Sequence, residues 1–89
     1  MKIFVVVASE TPTLDEQVYV YKNEDEAYKK RLEIMIRDLR LDSECLGRDY
    51  PLLDKLYDLN PVTDCIDPED EDKFYRIIGR YVRVYQFNI

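Results

Sequence analysis

The chain has 89 residues, 46% apolar, 12% aromatic and 36% charged, with no histidine and a net charge of −6 at neutral pH. That length makes one domain, and the aliphatic and aromatic content excludes a disordered polyelectrolyte. The negative balance disfavours direct nucleic-acid binding and association with anionic lipid, because both need a cationic footprint.

Residues 1–8 hold one lysine followed by Ile3, Phe4, Val5, Val6, Val7 and Ala8. Six apolar residues are few for the core of a signal peptide, and Glu10 follows at once. The run reads instead as a strand over 3–8, apolar at both parities as in a central strand covered on each side. Residues 9–16 (S-E-T-P-T-L-D-E) are polar, contain Pro12 and read as a loop. Residues 17–21 (Q-V-Y-V-Y) are β-branched and aromatic, a second strand that pairs with the first as an antiparallel hairpin.

Asn23 is a favoured N-cap, Glu26 three residues on completes a variant capping box, and Glu24, Asp25 and Glu26 suit the positive end of a helix dipole. Tyr28, Leu32, Met35, Ile36 and Leu39 form one helical stripe. Residues 42–49 contain Gly47 and are expected to be a loop. Pro51 suits the first turn of a shorter helix reaching about Leu59, with Leu52, Leu53, Leu56, Tyr57 and Leu59 inward and Asn60-Pro61 as its stop. Asp67-Pro68 starts a third helix, whose face would hold Phe74, Ile77, Ile78 and Tyr81, and Gly79 suits its left-handed end. The alternative makes 74–78 a strand. Residues 81–87 (Y-V-R-V-Y-Q-F) have the composition of a final strand.

The expected fold is therefore one α+β domain spanning 1–89, in chain order β-β-α-α-α-β. Helices lie over a three-stranded sheet of order 2-1-3. A right-handed crossover makes strands two and three parallel, each antiparallel to the first.

Lack of histidine removes the commonest general base and every Ser-His or Cys-His nucleophile pair. The chain is read as non-enzymatic, without cofactor or metal. Cys45 and Cys65 make no C-x-x-C motif and no disulfide framework, so both are expected reduced, with a single bridge between them as the alternative. The chain reads as intracellular and cytoplasmic. No stretch reaches the roughly 20 apolar residues of a membrane span. Asp67, Glu69, Asp70, Glu71 and Asp72 resemble part of a calcium loop, but Ile78 stands where a bidentate Glu is needed.

Two features point to a protein partner. The acidic run suits a basic surface, and Tyr19, Tyr21, Tyr81 and Tyr85 sit on expected strands at even spacings, so each pair shares a face; tyrosine is favoured at interfaces. The one stretch resembling a phosphate-binding surface is Lys73, Arg76, Arg80 and Arg83 with interleaved tyrosines. The expected function is an acidic protein-binding module. In its narrower form this is a virus- or phage-encoded inhibitor or nucleic-acid mimic acting in a host cell. A small-ligand or regulatory domain, binding at a helix–sheet cleft, is the alternative. Glu10, Asp15 and Glu16 share the loop where a carboxylate enzyme would place polar groups. Homodimerisation is open, because an uncovered strand can pair with its symmetry mate.

Overall fold

A computed structural model describes residues 1–9 and 16–89, in the order β1 (Lys2–Ser9), β2 (Glu16–Tyr21), α1 (Glu24–Leu46), α2 (Pro51–Tyr57), α3 (Pro68–Ile78) and β3 (Val82–Asn88). The expected loop over 9–16 lies outside the described residues except at its ends, where Ser9 closes β1 and Glu16 opens β2. The sheet order is β2-β1-β3, with β1 antiparallel to both neighbours. This is the expected α+β topology.

Start and stop chemistry explains the helices. Asn23 has extended backbone and its Oδ1 accepts from the Asp25 amide at 2.8 Å and the Glu26 amide at 3.4 Å. Residues 42–46, expected in a loop, instead carry α1 more than one further turn. Nothing in L-D-S-E-C-L breaks a helix, and the stop waits for Gly47 at φ 62°, where a side chain would be strained. The Arg48 amide then returns to the Ser43 carbonyl at 3.2 Å. Proline opens both α2 and α3, and Gly79 at φ 86° closes α3. Residues 74–78 are thus helical, and Tyr81 lies beyond the helix rather than on its face.

The core forms between α1 and one side of the sheet. Alternate strand residues face opposite sides, and directly paired residues share a side. Register therefore sets Tyr21–Phe4–Gln86, Tyr19–Val6–Val84 and Gln17–Ala8–Val82 on the helix side. Phe4, Val6, Ala8 and Val82 pack with Ala27, Leu32, Ile34, Met35 and Leu39 of α1, Leu52 and Leu56 of α2, and Phe74 of α3. The α1 stripe is broader than its 3.6-residue spacing implied. Ala27 and Ile34 are buried although they lie off it, and Tyr28 is exposed, because α1 packs on all three strands and on both other helices. On α2, Tyr57 points outward rather than into the core. The shortest dimension of the molecule is 19 Å, room for one sheet and one layer of helices. The expectation that β1 is covered on both sides is therefore wrong: its second face has no covering element among the described residues.

Two arginines tie the helix layer to the start of β3. Arg80 is 5% exposed and its Nε donates to the Asp38 Oδ2 of α1 at 3.0 Å. Arg31 donates from Nε to the Val82 carbonyl at 2.9 Å and from Nη2 to Glu71 of α3. A buried guanidinium deprived of its carboxylate is costly. Asp38→Ala is expected to destabilise the fold by about 3–5 kcal/mol in urea unfolding, the range for breaking one side of a buried pair. A loss below about 1 kcal/mol would show that Arg80 holds its place without Asp38.

Candidate functional site

The side of the sheet away from the helices is the largest departure from ordinary patterning. Register places Val20–Val5–Tyr85, Val18–Val7–Arg83 and Ile3–Phe87 in successive rows across it. Val18 and Val20 are 53% and 61% exposed, Tyr85 and Phe87 45% and 52%, and none of them joins the core. An antiparallel sheet with one solvated face normally alternates apolar-in with polar-out. Here the outward positions are as apolar as the inward ones. Over positions 3–7, 18–20 and 83–87, Arg83 is the only charged residue. Three strands about 4.8 Å apart and six to eight residues long make a face of roughly 14 by 23 Å, about the size of the largest apolar patch on a typical monomer, which is often a functional surface.

The predicted tyrosines divide between the two sides. Tyr19 and Tyr21 point to the helix layer, half-buried against the core, with the Lys30 ammonium 4.6 Å from the Tyr19 ring centre. Tyr85 lies on the open face. Tyr81, just ahead of β3, stacks on Tyr75 with ring centres 4.5 Å apart, and the Arg83 guanidinium sits 4.4 Å from the Tyr81 ring centre. Together with Val7 and Tyr85 these side chains line a hollow of about 220 Å³ at the β3 side of the face. The valines and Phe87 were missed as site residues, although a signal was present: β1 and β2 are apolar at both parities.

The acidic run is largely turned to internal use. Asp70, 3% exposed, takes the Lys55 ammonium of α2 at 2.6 Å, with Lys73 at 4.0 Å. Asp67 lies 3.6 Å from the same Lys55, and Glu71 pairs with Arg31. Asp72 accepts from the Tyr81 hydroxyl at 3.5 Å. Of the five carboxylates, only Glu69 makes no ion pair or side-chain hydrogen bond among the described residues. The basic stretch is likewise dispersed, since Arg80 is buried on Asp38, whereas Lys73, Arg76 and Arg83 are exposed.

Cys45 and Cys65 are free and exposed, and no group of His, Cys, Asp and Glu suited to a metal occurs among the described residues. Of the expected loop carboxylates, Glu10 and Asp15 lie outside those residues. A cleft of about 270 Å³ opens between α1 and the segment before α3, beside Tyr28, Leu32 and Cys65, and an open groove of about 430 Å³ runs along α1 beside Ile36, Arg40 and Pro61. The first is smaller than most ligand sites, at roughly 300–1,000 Å³. Neither lies between helix and sheet. No buried polar side-chain atom lacks a partner among the described residues, so neither offers an unpaired polar anchor. No helix there is long and apolar enough to cross a membrane.

Two protons in the helix layer are held more tightly than usual. The hydrogen bond to Asp70 raises the Lys55 pKa, and the bond from the Tyr50 hydroxyl to Asp42, aided by burial, raises that of Tyr50. A folded-state pKa above the unfolded one contributes stability below the unfolded value and loses it as pH rises through the folded value. The melting temperature is expected to hold between about pH 7 and 9.5 and to fall above about pH 10. Tyr50→Phe should flatten part of that fall. An identical decline in both chains would assign it to other groups.

No protein-family model matches the chain, and comparisons with curated proteins and with solved structures find no match.

Proposed function

We propose that the chain is a non-enzymatic protein-binding module whose contact surface is the open face of its sheet. The supporting observation is the second apolar side of all three strands, where Val5, Val7, Val18, Val20, Tyr85 and Phe87 stand at positions that a solvated sheet fills with polar residues. Interfaces draw their energy from such desolvated aliphatic and aromatic area, surrounded by a polar rim. Arg83 beside Tyr81 and Tyr85 supplies a residue type enriched at binding hot spots.

The acidic helix layer on the opposite side has a different part. Net charge −6 keeps a chain with one apolar face in solution and biases diffusional encounters toward basic partners. The narrower reading, an inhibitor imitating nucleic acid, draws less support. A mimic needs its carboxylates directed outward, and Asp67, Asp70 and Glu71 are paired with Lys55 and Arg31.

Capture from a lysate of the source cells separates the two surfaces. The tagged chain should retain its partner through about 0.5 M salt, where exposed charge pairs are screened within a few ångströms. Val20→Lys should reduce retention at least about tenfold, whereas the double variant Glu69→Lys, Asp72→Lys should retain it. Equal capture by the native chain and Val20→Lys would remove the open face as the contact surface.

A further inference from the structure

We draw no further inference here: the strongest candidate, the apolar side of the sheet turned away from the helices, carries nothing beyond the contact surface already proposed, because nothing in the structure shows what covers it.

Discussion

One connection carries all three helices. They lie between β2 and β3, so the chain crosses from one edge of the sheet to the other once and spreads its helices over a single side. A central strand that is apolar at both parities is thereby left with half of its pattern unanswered. Phe4, Val6 and Ala8 are buried in the core that α1 covers, while Ile3, Val5 and Val7 are half-buried on a side that has no covering element among the described residues. The open face and the functional reading both follow from that topological fact.

The helix layer is closed by polar clamps rather than by apolar contact alone. An 89-residue chain buries a modest share of its surface, so its core is thin. Arg31 reaches the Val82 carbonyl and Glu71, Arg80 reaches Asp38, and Lys55 reaches Asp70. These contacts join α1, α2, α3 and the entry to β3 across long sequence separations. They also explain why a dense acidic run makes a poor outward-facing patch. Carboxylates on α3 are matched by cations on the helices it packs against.

Local chemistry was legible wherever a single residue decides it. Asn23, Pro51, Pro68 and Gly79 mark starts and stops that occur where expected, because N-caps, first-turn prolines and left-handed glycines act within a few residues. The end of α1 was misread for the same reason in reverse. The stretch before Gly47 is polar, but polarity does not end a helix, and only the glycine supplies the left-handed turn. Tyr81 was placed on a helical face because spacing ignores the stop at Gly79. The candidate site was half legible. Tyr85 lies on the open face, yet Tyr19 and Tyr21 do not, since even spacing shows that two residues share a side without showing which side.

The sequence by itself determined the order of the elements, apart from the choice of helix or strand at 74–78, and the surplus of apolar strand positions. Both follow from local propensity and periodicity, while the expected strand order came from the handedness of the crossover. Tertiary structure alone decided which parity of each strand faces the helices, and therefore that Val18, Val20 and Phe87 are the exposed apolar residues. It also decided which carboxylates in 67–72 find cations. Register between strands and the side taken by a crossover are non-local properties, fixed when segments far apart in the chain compete for the same buried surface.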